Sequence, residues 1–150
     1  MGTNRCSTII FEKERAARTI GEETTKTGTK PIATVAIVTF GFKYGPPPTN
    51  YAFDVSFLRN PARETQWGLF AEPDDEMRTF VMEQSNAQTF LDRLTPMVEA
   101  LATFDDGVRI GLGCSGGRHR SRIIADALAE KLRAKDIAVN IIHREGSMHQ

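Results

Sequence analysis

The chain is short of cysteine, of net charge and of long apolar runs, and each shortage removes a class of protein. Two cysteines in 150 residues, Cys6 and Cys114, cannot staple a disulfide framework, and they point to a reducing compartment. Lys plus Arg number 19 and Asp plus Glu number 19, so the net charge is zero. Such a chain lacks the global positive field that drives non-specific binding to nucleic acid, and any basic function must come from a local cluster. No apolar stretch approaches the roughly 18 residues of a membrane span. The N-terminus mixes Arg5, Glu12, Lys13, Glu14, Arg15 and Arg18 where a secretory signal needs an apolar segment. A cytoplasmic protein is expected. The rest of the composition, 40% hydrophobic and 25% charged, suits an ordinary globular domain without internal repeats.

Residues 1–30 read as a polar N-terminal extension, with a short helix of mixed faces over Ser7 to Ile20 and a Thr-rich linker from Gly21 to Lys30. The folded domain is expected over 31–150. Ile32 to Phe40 is a β-branched run of the kind found in strands buried on both faces. Gly41 to Asn50, with its three consecutive prolines, must be a loop. Tyr51 to Val55 predicts a short strand, Ser56 to Asp75 irregular chain, and Glu76 to Glu83 a short helix. Asn86 to Phe104 carries a helical apolar stripe interrupted by Pro96. An interior proline costs about 3 kcal/mol, so a kink or a restart is expected, with Thr95 as N-cap. After the Asp105-Asp106-Gly107 turn come a strand over Val108 to Leu112, a helix over about His119 to Lys135 and a strand over Ile137 to His143. Strand, helix, strand is a βαβ unit with parallel strands. The expected class is α/β, a three-layer sandwich with a mostly parallel sheet.

Between that strand and that helix lies Gly113-Cys114-Ser115-Gly116-Gly117-Arg118-His119-Arg120-Ser121. Strand, glycine-rich turn and helix make an anion site. A helix start leaves backbone N–H groups unpaired, its dipole is positive there, and glycines let the chain curl round an oxyanion. Ser115 and Ser121 supply hydroxyls, and Arg118 and Arg120 supply guanidinium groups suited to phosphate. His119 can donate one further bond. A plain connecting turn would explain the glycines. It would not explain why Arg118, Arg120 and Arg122 crowd the helix end that disfavours cations. The segment fits neither G-x-x-x-x-G-K-[ST] nor G-x-G-x-x-G with a distant acid, so neither of those nucleotide-binding modes is supported, and no cofactor is indicated.

Cys114 to Ser121 also reads C-x-x-G-x-x-R-S, the loop pattern of cysteine-dependent phosphatases, with Cys114 as nucleophile and Arg120 on the phosphoryl oxygens. Such a match arises by chance on the order of once in a thousand chains of this length. Gly113 stands where those enzymes usually carry His. Asp74, Asp75, Asp105 and Asp106 compete for the role of general acid with nothing to choose between them. Alternatively Cys114 is a small residue closing a buried strand.

The chain resembles the C-terminal domain of RapZ, the bacterial RNase adapter protein. The matching stretches are Phe40-Gly41-Phe42-Lys43-Tyr44-Gly45, Phe53-Asp54-Val55 with Phe57-Leu58-Arg59-Asn60-Pro61, the helix around Leu94 to Glu99, the Gly113–Ser121 loop and His143-Arg144. The resemblance implies binding of a phosphosugar, glucosamine-6-phosphate, and contact with small RNA or an RNase partner. It places the ligand on Gly113 to Ser121, with Lys43, His143 and Arg144 as additions. Asp54 then orients a basic group or caps a turn, and Arg59-Asn60-Pro61 is a turn. Two departures stand out. The Lys/Arg-rich end of the family is replaced by Glu145-Gly146-Ser147-Met148-His149-Gln150, which weakens the RNA expectation, and the stretch from Pro61 to Met77 is short. The family's N-terminal P-loop domain is not expected in the first 30 residues. The oligomeric state is open, homo-oligomer included.

Overall fold

The computed structural model describes residues 33–147. The helix and linker expected within residues 1–30 lie outside them. Strands β1 (Thr34–Gly41), β2 (Tyr51–Asp54), β3 (Val108–Cys114) and β4 (Ala138–His143) form one sheet in the order β2-β3-β1-β4, with every neighbouring pair parallel. Helices α1 (Asp75–Met82), α2 (Ser85–Phe104) and α3 (Arg120–Arg133) complete the described architecture. The class is α/β, and β1 is buried on both faces, as the middle layer of a three-layer sandwich requires. Its Val35 and Ile37 alternate with Val38 and Phe40, and all four are buried. The β3-α3-β4 unit is parallel as expected, although β1 lies between its two strands.

One core joins the elements. Ile37, Ile110 and Leu112 of the sheet pack in the same cluster as Leu91 of α2 and Ile124 and Leu128 of α3. Helix α1 starts where Asp74 Oδ1 accepts the N–H of Met77 at 2.7 Å, and it buries Met77 and Val81.

Helix α2 corrects one expectation. It does not restart at Thr95 but runs through Pro96 from Ser85 to Phe104. Thr95 is not a cap: its hydroxyl donates to the carbonyl of Leu91, one turn back, at 2.7 Å. The proline costs about 3 kcal/mol. The core contacts of Leu91, Leu94 and Val98, all at most 2% exposed, return roughly 1.5–3 kcal/mol each. Packing therefore overrides the local penalty.

Between β2 and α1 the chain is irregular apart from a 3-10 turn at Pro61–Arg63, opened by Asn60 accepting the N–H of Ala62. Trp67 anchors this stretch edge-to-face on Phe80 of α1, with ring centroids 5.4 Å apart. The stretch packs beside the loop that follows β3, because Arg120 bonds two of its carbonyls.

Candidate anion-binding site

Strand β3 ends at Cys114 and α3 begins at Arg120, so the loop proper is Ser115 to His119. Its geometry is set by contact with the end of β1. Gly117 has φ +70°, and a Cβ there would lie 2.5 Å from Gly41 N and 2.6 Å from Phe40 C. A Cβ on Gly41 would meet Gly116 C at 2.6 Å. The two backbones touch, and side chains are excluded from both. Among the described residues, the N–H groups of Gly116, Gly117, His119 and Arg120 donate to no protein acceptor. These are the open donors that a helix start presents to an anion.

Arg120, one of the expected phosphate ligands, is 6% exposed. Its Nη1 donates to the carbonyls of Ser56 and Leu58 at 2.8 and 2.9 Å, and its Nη2 donates to Ser115 Oγ at 3.2 Å. The guanidinium thus clamps the chain after β2 to the loop and brings a positive charge into it. Arg118 lies over the Phe70 ring, 5.1 Å from its centroid. His119 Nε2 donates to the carbonyl of Ala71 at 2.7 Å, so the ring donor is committed there and the main-chain N–H is the one left open. Burial holds the His119 pKa below its usual value. The Ala71 bond opposes this shift, and the charges of Arg118 and Arg122 add to it.

Cys114 is buried and its Sγ donates to Ser121 Oγ at 3.4 Å. A Cβ on Gly113 would lie 2.6 Å from the rings of both Phe40 and Phe42, so this aromatic pair occupies the place of a side chain at 113.

A cavity of about 370 Å³ opens over the loop. The sequence-predicted residues Lys43, Cys114, Ser115, Gly116, Arg118, His119 and Arg120 line it. Lys43 is delivered by the 3-10 turn Phe42–Tyr44, whose Lys43 N–H reaches the Ser115 carbonyl at 3.4 Å. The wall opposite comes from Asn60, Leu69 and Phe70, with Tyr44 beside Lys43. The sequence reading left these out of the ligand set, since nothing periodic marks them. Neither Asp nor Glu lines the cavity.

His143 and Arg144 do not line it. His143 Nδ1 and the Thr39 hydroxyl are hydrogen-bonded at 2.9 Å. Burial, then the charge of Arg122, lowers the pKa of His143, while Asp126 and Glu72 oppose the shift. Arg144 Nε donates to Glu145 Oε1 at 2.7 Å, and Glu145 is itself 2% exposed. The other oxygen of Glu145 accepts the N–H of Gly41 at 3.1 Å, so this carboxylate braces the β1 end on which Gly117 rests. Sequence reasoning missed Glu145, and its place beside Arg144 was the available signal. Arg122 pairs with Glu72 at 2.7 Å. Arg109 lies on β3 five residues before Cys114, roughly 17 Å along the strand from the loop. The arginines near this loop therefore do not gather with Arg109 into one open patch.

A family model described as the RapZ C-terminal domain matches residues 33–147. The chain belongs to the RapZ C-terminal domain family. Among curated relatives, proteins called nucleotide-binding protein from Clostridium perfringens and Clostridium botulinum are each 38% identical over 117 residues, covering 74% of this chain. One of the same description from Oleidesulfovibrio alaskensis is 36% identical over 118 residues. The chain spans 40% of the length of these relatives. The RapZ-type region thus coincides with the described residues. Among them no helix is long and apolar enough to cross a membrane.

Proposed function

We propose that this RapZ-type domain binds a phosphorylated small molecule on the loop Ser115–Arg120. The observation that carries the reading is the set of open N–H groups at Gly116, Gly117, His119 and Arg120, on a loop that lines a cavity with Lys43, Arg118 and Arg120. About 370 Å³ falls at the small end of the roughly 300–1,000 Å³ typical of small-molecule sites, a size suited to a hexose phosphate. The resemblance to RapZ makes an amino sugar phosphate, glucosamine-6-phosphate, the first ligand to test, with the domain acting as a sensor or as an adapter for an RNase or RNA in the cytoplasm. Thermal shift with glucosamine-6-phosphate, glucose-6-phosphate and inorganic phosphate tests the reading. A ligand at a hundredfold its dissociation constant stabilises by about 2.7 kcal/mol. A folded sample that shifts with none of them refutes it.

The thiol phosphatase is the second reading, and the Cys114–Ser121 contact favours it. Against it stand the burial of the thiol, the aromatic pair at Gly113 and the lack of an acid lining the cavity. Asp74 is engaged as the N-cap of α1. The phosphatase requires turnover of an aryl phosphate that disappears in Cys114→Ser. RNA binding through the loop arginines is less favoured, because Arg120 is spent on carbonyls and Arg122 on Glu72.

A further inference from the structure

The far wall of the cavity is a short piece of chain with both ends fixed. Before it, Trp67 is buried and packs edge-to-face on Phe80 of α1. After it, Asp74 caps the first turn of the same helix. Residues 68–73 run between these anchors outside every helix and strand. A Cβ on Gly68 would meet nothing within 4 Å, so the first joint of this segment turns in open space. Its Leu69 and Phe70 line the cavity.

The middle of the segment is held by three successive contacts from one short stretch of the loop and α3. Arg118 lies over the Phe70 ring, 5.1 Å from its centroid. His119 Nε2 donates to the Ala71 carbonyl at 2.7 Å. Arg122 Nη1 donates to Glu72 Oε2 at 2.7 Å. The contact of the buried His119 is the inner one. The Arg122–Glu72 pair is the outer one, and the Glu72 side chain is 72% exposed. An ion pair so wet is weak enough to open and reform. Two of the gripping residues, Arg118 and His119, themselves line the cavity, and His119 carries one of the open N–H groups. The position of the segment and the state of the anion seat are therefore decided by the same side chains.

By charge alone Glu72 works against an anion, because it offsets Arg122 and weakens the positive potential over the loop. As a fastener it works in favour, because it holds the wall that closes on whatever lies beneath. The two roles have opposite signs, and substitution at Glu72 separates them.

We infer that residues 68–73 are a strap that closes over a phosphorylated ligand, fastened by the Arg122–Glu72 pair, with Glu72 a positioning residue that acts without touching the ligand. The inference rests on the phosphate site proposed above and goes beyond it by naming what governs access to that site.

Isothermal titration of the parent, Glu72→Gln and Glu72→Lys tests it. The probes are glucosamine-6-phosphate, glucose-6-phosphate and inorganic phosphate, the last of which fills the loop without reaching the strap. Each sugar phosphate that the parent binds should bind about two- to fivefold more weakly in Glu72→Gln, the reach of one exposed ion pair, and more weakly still in Glu72→Lys. Inorganic phosphate should stay within about twofold of the parent in both. Hydrogen exchange supplies a readout that a merely structural fastener would not move. A sugar phosphate should slow exchange across residues 68–73 in the parent and do so less in Glu72→Lys. Equal or tighter binding of the sugar phosphates in the variants, the same loss for inorganic phosphate, no ligand-dependent protection of residues 68–73, or a parent that takes phosphate and neither sugar overturns the strap and leaves the loop site standing. A folded parent that binds none of the probes overturns both.

Discussion

Replacing Arg120 with alanine tests whether this residue holds the protein together before it holds any ligand. The substitution removes three side-chain bonds. The one to the Leu58 carbonyl is buried, while those to the Ser56 carbonyl and Ser115 Oγ are partly buried. A buried carbonyl left without a donor costs about 1–3 kcal/mol, and a bond that water replaces costs about 0.5–1.5 kcal/mol. Adding the lost packing of the arginine stem, Arg120→Ala should destabilise the ligand-free protein by roughly 2–5 kcal/mol. That corresponds to a fall in melting temperature of roughly 8–20 °C for a domain of this size. The sequence has one tryptophan, and Trp67 is 8% exposed, so its fluorescence reports urea unfolding directly. Arg120→Lys keeps the charge but cannot fork across two carbonyls, and it should fall between the two. If Arg120→Ala unfolds within about 1 kcal/mol of the parent without ligand, the clamp contributes little and the argument from its three partners is wrong.

The two loop glycines should part company. Gly117→Ala forces a Cβ to 2.5 Å from Gly41 N at φ +70° and should lower the melting temperature by several degrees or more, whereas Gly116→Ala meets open space and should melt within about 2 °C of the parent. Glu145→Ala strips the Gly41 N–H of its acceptor and removes the ion-pair partner of Arg144, for a loss of roughly 2–4 kcal/mol in urea unfolding. Glu145→Gln keeps an oxygen for Gly41 and should lose less than half as much. Acidification should destabilise the fold, since His119 and His143 have folded-state pKa values below their ordinary 6.5. The unfolded chain then binds the extra protons, so their contribution is complete above pH 6.5 and is lost as pH falls from there towards the lower folded values. Urea midpoints from pH 8 to pH 5 should show this fall. A His119→Gln variant should fall less steeply, and an unchanged slope would count against a buried neutral His119.

The βαβ unit and its loop were legible because their signals are local. The β-branched run after Ile32, the glycines at 113, 116 and 117 and the apolar face of Ile123, Ile124 and Leu128 each speak for a few neighbouring residues. What was not legible depends on residues distant in sequence. The clamp made by Arg120 was hidden because its acceptors, the carbonyls of Ser56 and Leu58, lie 64 and 62 positions away. Glu145 read as part of a tail lacking basic residues, yet it is buried against Gly41, 104 positions earlier. Pro96 read as a break because the local penalty was visible and the packing of Leu91 and Val98 was not. The far wall of the cavity, Asn60, Leu69 and Phe70, comes from chain with no periodicity, where side-chain placement follows from tertiary contacts alone.

The close approach of Gly41 and Gly117 has a mechanical consequence. With main chain resting on main chain and Glu145 wedged behind, the floor of the cavity has no room to shift without dragging the central strand of the sheet. The roof is another matter, since Leu69 and Phe70 are 58% and 69% exposed on irregular chain. A ligand bound as proposed would therefore meet a preformed seat for its anion and an adaptable cover for everything else. Among relatives, discrimination between ligands should drift through substitutions in the cover while the seat stays the same.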